Sequence, residues 1–557
     1  MEWRKWMVLV VTIWIQAFSG TNFDFSAYSS DMKSALGISQ VQLNYLAVAS
    51  DLGKAFGWSS GLALLYLPIW TVLLMAASFG FVGYGLQWLL IRNLLSLPYF
   101  LVFLACLLSG LSVCWFLTVC FVLCVRNFTH HNRSLAISLT VSFNSISPSL
   151  YTLAASAFTS SSSSSSSGPI YLLLNAALPL FVSAAAILSI LRQQPPPQLP
   201  DKLPHTTATH DSLIFLLLNV FAFLTGLYLL LFNTVSTLPS VDSLLFGGGL
   251  LLLVMPLFVP AVISARDRAQ RAFTDGGPAF GSFQIIDIKE SQLLESLLDK
   301  VEEVEEKWWR CWWEKDRVET LGEEHGVSKL VRRIDFWLYY ASYFCGATVG
   351  LIYINNLGQI AQSLGHNSST AAILGVYSAC SFFGRLLASA PEFLRQNVYF
   401  ARTGWLALAL IPTPIAFSVL VGSDGLLALM TATGLVGLSS GFVFAAAVSV
   451  TSELFGPKSV GVNHNIVITN IPLGSILYGL LATLVYDANE GSSRLVTLRS
   501  SDGAAAAACM GRKCYELTFM VWGCISLLGL AASVALFLRT KPAYDRSERD
   551  KVTTPLT

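Results

Sequence analysis

Two ionisable residues, Asp51 and Lys54, lie within a long apolar stretch of this 557-residue chain. An uncompensated charge at the centre of a membrane helix costs about 2.5–3.5 kcal/mol on insertion scales, so each residue needs a reason to be there. At positions i and i+3 the two side chains share one face of a helix. The spacing therefore predicts a buried ion pair, which is either a proton or substrate-charge site or a structural lock between helices.

The stretch that holds this pair recurs weakly in the second part of the chain. Residues 20–54 resemble residues 350–385, and the dipeptide Gly53-Lys54 is matched by Gly384-Arg385. A half-chain repeat in an apolar protein is typical of transporters whose pseudo-symmetric halves rock around a central site. Arg385 is accordingly predicted as an inner-gate charge.

Composition sets the class of protein. Hydrophobic residues make up 54% of the chain and charged residues 12%, and the mean hydropathy is +0.61, which indicates a polytopic membrane protein. No basic tract favours a nucleic-acid partner. The cysteines form no CxxC pair and no Cys/His cluster, so neither a metal nor another cofactor is expected. No cluster of nucleophile, base and orienting residue is visible, so an enzyme is the least favoured class.

Apolar runs of about 18 or more residues predict fourteen membrane-spanning helices, in an all-α fold with a six, two, six arrangement. The predicted spans are 6–28, 41–64, 67–90, 98–124, 134–158, 169–191, 212–234, 243–264, 334–357, 369–389, 400–422, 425–449, 461–485 and 516–538.

The basic residues orient these spans. With the N-terminus inside, 27 of the 34 lysines and arginines fall on the cytosolic side, so both termini are expected to be cytosolic. The predicted domains are an N-terminal membrane domain (1–264), a charged cytosolic loop (265–333), a C-terminal six-helix bundle (334–538) and a cytosolic tail (539–557). The loop contains the cluster WWRCWWEK, which favours an interfacial anchor or, alternatively, a helix that binds a partner.

Other polar residues in or near the predicted spans are candidates for substrate or coupling contacts, and each has a structural alternative. Asp24 and Asn22 are either coupling residues or vestibule residues at headgroup depth. Asn144 either faces a cavity or packs between helices. Asn355, Asn356 and Gln359 either bind a polar substrate or cap a helix end.

Two further pairs lie near the predicted membrane surfaces. Glu453 and Lys458 are either part of an inner gate or members of a solvated loop. Cys509 and Cys514, in the last outward loop, form a disulfide or remain as two free thiols.

Four motifs carry a resemblance to a known family: GTNFDFSAYSSDMKSALGISQVQLN, DLGKAFGW, GYGLQWLLI and SELFGPKSVGVNHN. Together they resemble the plant nodulin-like branch of the major facilitator superfamily, which includes nuclear-fusion-defective-type proteins. The resemblance covers about residues 4–264 and 334–538, and more distantly it extends to oxalate–formate and monocarboxylate transporters. The facilitator signature G-x-x-x-D-R-x-G-R-R is absent between the second and third predicted spans.

The resemblance implies two six-helix bundles around a central cavity, with two extra helices between them, acting as a monomer. The expected function is secondary transport of a small polar or anionic metabolite, coupled to protons at Asp51. The expected location is the plasma membrane or a vacuolar or other endomembrane. The alternative is a non-transporting receptor or scaffold that acts through the cytosolic loop.

Overall fold

The structure of the protein is a computed structural model. It describes residues 3–21, 25–38, 40–128, 130–159, 168–191, 205–233, 239–274, 317–366, 369–394, 399–497 and 509–553. Within these residues the chain is helical and contains no strand. This agrees with the all-α prediction, because only intrahelical hydrogen bonds satisfy the backbone of a single segment in lipid.

The first half of the chain and the connecting region contain eleven α-helices within the described residues. They are α1 (Trp3–Ser19), α2 (Phe25–Leu36), α3 (Gln40–Ala55), α4 (Trp58–Tyr66), α5 (Ile69–Ile91), α6 (Tyr99–Asn127), α7 (His130–Thr159), α8 (Gly168–Leu191), α9 (His205–Asn233), α10 (Pro239–Val254) and α11 (Phe258–Thr274). A short 3₁₀ turn joins α10 to α11.

The second half contains a further eleven α-helices within the described residues. They are α12 (Val327–Leu330), α13 (Ile334–Ser342), α14 (Val349–Ser363), α15 (Thr370–Leu387), α16 (Ala390–Leu394), α17 (Arg402–Leu410), α18 (Pro412–Gly422), α19 (Leu426–Phe455), α20 (Val460–Ile468), α21 (Asn470–Thr497) and α22 (Glu516–Thr553). A π-helical turn, Tyr343–Thr348, joins α13 to α14.

In the described part of the chain, ten segments are long and apolar enough to cross a membrane. The predicted count of fourteen is not confirmed. The other four predicted spans are helical over much of their length, but they are interrupted or more polar. The span predicted at 41–64, for example, breaks between α3 and α4, where a Cβ on Gly57 would lie 2.8 Å from Asn465 Oδ1 and 2.9 Å from Cys114 Cβ.

The two halves repeat the same helix contact. In the first half, a Cβ on Gly53 of α3 would lie 2.1 Å from the Leu107 carbonyl oxygen of α6. In the second half, a Cβ on Gly384 of α15 would lie 2.2 Å from the Leu438 carbonyl oxygen of α19. Gly384 stands 331 positions after Gly53 (384 minus 53), and Leu438 stands 331 positions after Leu107. The weak sequence repeat is therefore a repeat in packing, in which only glycine allows the two backbones to approach.

The halves meet along two seams. At the first, α7 contacts α15, and the extra helix α9 contacts both of them. The ring of Phe382 in α15 occupies the space beside Gly226 of α9, where a Cβ would lie 2.2 Å from it. At the second, α4 contacts α20, and a Cβ on Gly61 would lie 2.6 Å from the Gly461 carbonyl.

We call the inner end of the bundle the end at which α1 begins and α22 ends. There Lys5 of α1 forms an ion pair of 2.7 Å with Asp211 of α9. Asn132, at the start of α7, donates a hydrogen bond of 3.4 Å to the same carboxylate. These contacts fix the start of α9 on the first half, whereas its middle packs against the second.

Residues 317–330 fold onto the inner end of the second half. The Glu324 carboxylate accepts hydrogen bonds from the backbone N–H groups of Lys458 (2.7 Å) and Ser459 (3.1 Å), which precede α20. A carboxylate at a helix start satisfies donors that the helix itself leaves unpaired. His325 is buried, and its backbone N–H donates to the Phe455 carbonyl at 3.1 Å. Burial is the main reason that the pKa of His325 is lowered.

Candidate functional site

A central cavity of about 90 Å³ lies between the two halves. Helices of the first half (α3, α6 and α7) and of the second half (α14, α15, α19, α20 and α21) line it, together with the π turn. Of the described residues that line the cavity, two are charged, Lys54 and Arg385, and both are cations. The remaining polar side chains there include Asn144, His464 and Asn465, and most of the other lining is apolar.

Lys54 comes from α3 and forms the ion pair that the sequence spacing predicts. Its Nζ donates to Asp51 Oδ1 at 2.6 Å, and the two residues are 7% and 2% exposed. The second carboxylate oxygen is held by the other half: Ser475 Oγ of α21 donates to Asp51 Oδ2 at 2.6 Å, and Asn355 Nδ2 of α14 donates at 3.4 Å. Asp51 therefore bonds both to its own helix and to the opposite half.

Arg385 occupies the equivalent position in α15, 331 residues after Lys54 (385 minus 54). Its Nη1 donates to the Val141 carbonyl at 3.0 Å and to Asn144 Oδ1 at 3.2 Å, both on α7 of the first half. Its guanidinium carbon lies 5.5 Å from the centroid of the Phe444 ring, a cation–π contact. Arg385, predicted as a gate charge, is thus placed in the central cavity.

The structure brings together only some of the predicted polar residues. Asn355 reaches Asp51, as described above. Asn356 donates to the Ile352 carbonyl of its own helix at 2.8 Å. Gln359 accepts a hydrogen bond of 3.2 Å from the Tyr515 hydroxyl, outside the lining of the cavity. Asn22 and Asp24 lie outside the described residues, as does the tryptophan-rich cluster of the long loop.

A second charged cluster lies at the inner end. Arg402 of α17 pairs with Glu453 of α19 (3.1 Å) and with Glu392, and it donates to Ser134 Oγ of α7 in the first half. Tyr544 of α22 donates to Glu453 Oε2 at 2.8 Å. Glu453, one of the two predicted gate residues here, is therefore buried where the halves touch.

The other predicted gate residue has a different environment. Lys458 is exposed, and its backbone N–H, rather than its ammonium group, bonds to Glu324.

Sequence reasoning missed several residues of these sites, of which Arg402 and Ser475 are two examples. Arg402 was counted only as one basic residue of a cytosolic connection, although its position beside the start of a span was a usable signal. Ser475 carries no signal, because a serine in an apolar run is common and only the fold brings it to Asp51.

The outer end of the second half carries a disulfide. Cys509 and Cys514 are bonded, which decides between the alternatives that the sequence left open. The loop that they close is tied to neighbouring helices: the Gly511 N–H donates to the Ser363 carbonyl of α14 at 2.7 Å, and the Cys509 N–H donates to the Tyr486 hydroxyl of α21 at 3.0 Å.

Solved structures of transporters match this fold over most of the chain. A bacterial homologue of the human lysosomal transporter Spinster, in an inward-facing and unoccupied conformation, matches 98% of this chain and 98% of its own with a TM-score of 0.53 and 11% identity. The proton:xylose symporter XylE of the major facilitator superfamily, bound to 6-bromo-6-deoxy-D-glucose, matches 94% of each chain with a TM-score of 0.52 and 13% identity. The chain is thus an integral membrane protein with the major-facilitator fold.

The family follows from closer relatives. The Nodulin-like family model matches residues 5–261, and the model described as NFD4, C-terminal domain, matches residues 319–545. Protein NUCLEAR FUSION DEFECTIVE 4 of Arabidopsis thaliana is 53% identical over 556 residues, which are 99% of this chain and 91% of that protein. The chain belongs to the nodulin-like family, as the four sequence motifs predicted.

Proposed function

We propose that this protein is a secondary transporter that moves a small organic anion across the membrane by alternating access. One observation carries the proposal: Lys54 and Arg385, at equivalent positions of the two halves, line a single central cavity. A ligand that contacts both cations would hold the two halves together at their centre. The substrate would then bind in the central cavity, between the two halves whose rocking motion provides alternating access.

Charge favours an anion over a neutral substrate. The carboxylate of Asp51, three residues before Lys54, offsets the charge of that lysine. The equivalent position before Arg385 is Phe382, which carries no charge. The cavity wall is otherwise largely apolar, so electrostatic attraction there is weakened less than it would be in water. A carboxylate or similar oxyanion forms charge-assisted bonds to guanidinium and ammonium groups that are about twice as strong as neutral ones.

The cavity volume favours a small substrate. About 90 Å³ is several times the roughly 10–15 Å³ that one water requires. A larger metabolite would need the halves to separate further before it could bind.

Asp51 is our candidate for proton coupling. Protonation would remove the charge that pairs with Lys54 and would turn an acceptor oxygen into a donor. The contacts with Ser475 and Asn355 of the opposite half would then change together with the ion pair. A proton on Asp51 would thereby free Lys54 for the substrate and weaken the contact that Ser475 of α21 makes with α3.

The inner-end cluster is our candidate for the inner gate. Arg402 connects Glu453 of the second half to Ser134 of the first, so separation of the halves at this end would have to break that connection. The Gly61 to Gly461 approach would open in the same movement, because α4 and α20 belong to different halves.

Uptake by purified protein in proteoliposomes tests the proposal. A panel of radiolabelled monocarboxylates, dicarboxylates, amino acids and sugars would be offered with and without an inward proton gradient. We expect gradient-driven uptake of a small organic anion, reduced at least about tenfold in Lys54→Gln and in Arg385→Gln. Arg92→Gln, which removes an exposed cation between α5 and α6, is the matched control and should transport normally.

The coupling role has its own test. Asp51→Asn should lose gradient-driven uptake but retain exchange of anion for anion, because exchange needs no net proton movement. Anion uptake that survives in both cation variants would overturn the substrate assignment. Full gradient-driven uptake by Asp51→Asn would overturn the coupling assignment.

A further inference from the structure

Asn144 lies beside Arg385 in the wall of the central cavity. It belongs to α7, whose interior contains Pro148, and it is 4% exposed. Arg385 Nη1 reaches it from the other half and donates to its Oδ1 at 3.2 Å. The same Nη1 donates to the Val141 carbonyl, one helical turn earlier. Arg385 thus bonds to α7 at two points, the Val141 carbonyl and the Asn144 side chain.

This contact fixes the orientation of the Asn144 amide. A guanidinium group has donors only, so the amide must present its oxygen to Arg385. The Nδ2 group is then turned away from the guanidinium. It is buried and has no hydrogen-bond partner among the described residues. An unsatisfied buried donor costs about 1–3 kcal/mol, which makes a ligand that accepts from it favourable.

We infer that Asn144 is a specificity-determining residue, whose Nδ2 group and Arg385 together form a binding position for an oxyanion. The inference rests on the proposed function and deepens it. One oxygen of the oxyanion would accept from Arg385 and another from Asn144 Nδ2, and a cationic ligand would meet donors at both. The residue therefore selects anions over cations, beyond the attraction that the two cations supply.

A substitution of the same size and shape makes the idea testable. Asn144→Asp replaces the NH₂ group by oxygen and adds a negative charge next to Arg385. The new carboxylate would pair with the guanidinium and occupy the position that we assign to the anion. Asn144→Ser keeps the site neutral and shortens the side chain, so that no donor stands at the position of the Nδ2 group.

The chain supplies its own reporter of charge preference. Cys114 of α6 lines the same cavity. In a background in which every cysteine except Cys114, Cys509 and Cys514 is replaced by alanine, two methanethiosulfonate reagents of similar size would be compared. One carries a sulfonate and the other a trimethylammonium group. The ratio of their reaction rates with Cys114, measured by mass spectrometry in liposomes, reports whether the cavity admits an anion or a cation more readily.

We expect the sulfonate reagent to react faster in the parent protein. In Asn144→Asp the ratio of sulfonate to ammonium rates should fall by about tenfold or more, because one added charge acts oppositely on the two reagents. In Asn144→Ser it should fall by a smaller factor. Asn356→Asp, the same replacement on α14 outside the cavity lining, is the matched control and should leave the ratio unchanged.

The result separates this inference from the proposed function. A ratio that is the same in Asn144→Asp as in Asn356→Asp would overturn the inference and leave Asn144 as a packing residue, even if anion uptake in proteoliposomes is found. A large fall confined to Asn144→Asp would support the inference as a statement about the cavity, even if no anion is transported.

Discussion

The coupling between Asp51 and Lys54 can be measured directly. Lys54 Nζ lies 2.6 Å from Asp51 Oδ1, and Asp51 and Lys54 are only 2% and 7% exposed to solvent. Removal of one partner from a buried ion pair costs about 3–5 kcal/mol, because the remaining charge is left in a medium of low dielectric constant. Asp51→Asn should therefore lower the free energy of unfolding by about that amount, and so should Lys54→Met, which leaves the carboxylate without its ammonium group.

The double variant is the decisive sample. Replacement of both charges by neutral groups of similar volume is often close to neutral, so Asp51→Asn with Lys54→Met should lose far less than the sum of the two single losses. We expect an interaction energy of about 3 kcal/mol, the upper end of the usual range for residues in contact. The two remaining donors to Asp51, Ser475 and Asn355, can still bond to the amide oxygen of the asparagine.

The assay is equilibrium unfolding of purified protein in mixed detergent micelles, followed by tryptophan fluorescence. Lys541→Met, which removes an exposed lysine near the inner end, is the matched control and should change stability by less than about 0.5 kcal/mol. Single losses that simply add up in the double variant would refute the reasoning, because they would show that the two charges do not stabilise each other.

Three further predictions follow from particular contacts. Gly110→Ala should abolish the folded, monodisperse protein in size-exclusion chromatography, because its Cβ would lie 1.8 Å from a backbone carbonyl of α3. Gly85→Ala, whose Cβ would have nothing within 4 Å, should fold normally. Equal yields of the two variants would contradict the packing argument. Replacement of Cys509 and Cys514 by serine should lower stability by about 2 kcal/mol in the loop-entropy model, since the cysteines are only 5 positions apart; an unchanged melting midpoint would count against it. His325 has a lowered pKa because it is buried, so the unfolded segment binds protons more readily and local stability should fall as the pH drops below about 6.5. The hydrogen-exchange protection factors of residues 317–330, which are corrected for the pH dependence of intrinsic amide exchange, should fall as the pH is lowered from about 7.5 to about 5.5. An equal fall in His325→Gln would exclude the histidine as its cause.

Family and fold class could be predicted from the sequence. Short motifs indicate the family, and hydropathy summed over each segment indicates the membrane helices. Apolar composition requires a membrane, and a membrane requires helices. The Asp51 and Lys54 contact was predictable because residues three apart on one helix meet whatever surrounds them. The match of Gly53 with Gly384 was also visible in the sequence, although its physical cause, a close approach of two backbones in each half, was not.

The predicted count of fourteen spans is not confirmed in the described part of the chain, and the second span shows the limit of hydropathy reasoning. Hydropathy windows treat each span as one straight helix, but α3 and α4 break where Gly57 allows α6 and α20 to approach. A helix break caused by a neighbouring element leaves little trace in hydropathy.

The sequence by itself determined that this is a helical membrane protein of two repeated halves with an ion pair in the first. Only the tertiary structure decided that Arg385 meets Lys54 in one cavity, that Ser475 and Asn355 complete the shell of Asp51, and that Asn144 is oriented by a guanidinium from the opposite half. The physical reason is that these contacts depend on the depth and rotation of each helix against its neighbours. Packing of the whole bundle sets those two quantities, and the hydrophobic periodicity of a single helix does not determine them.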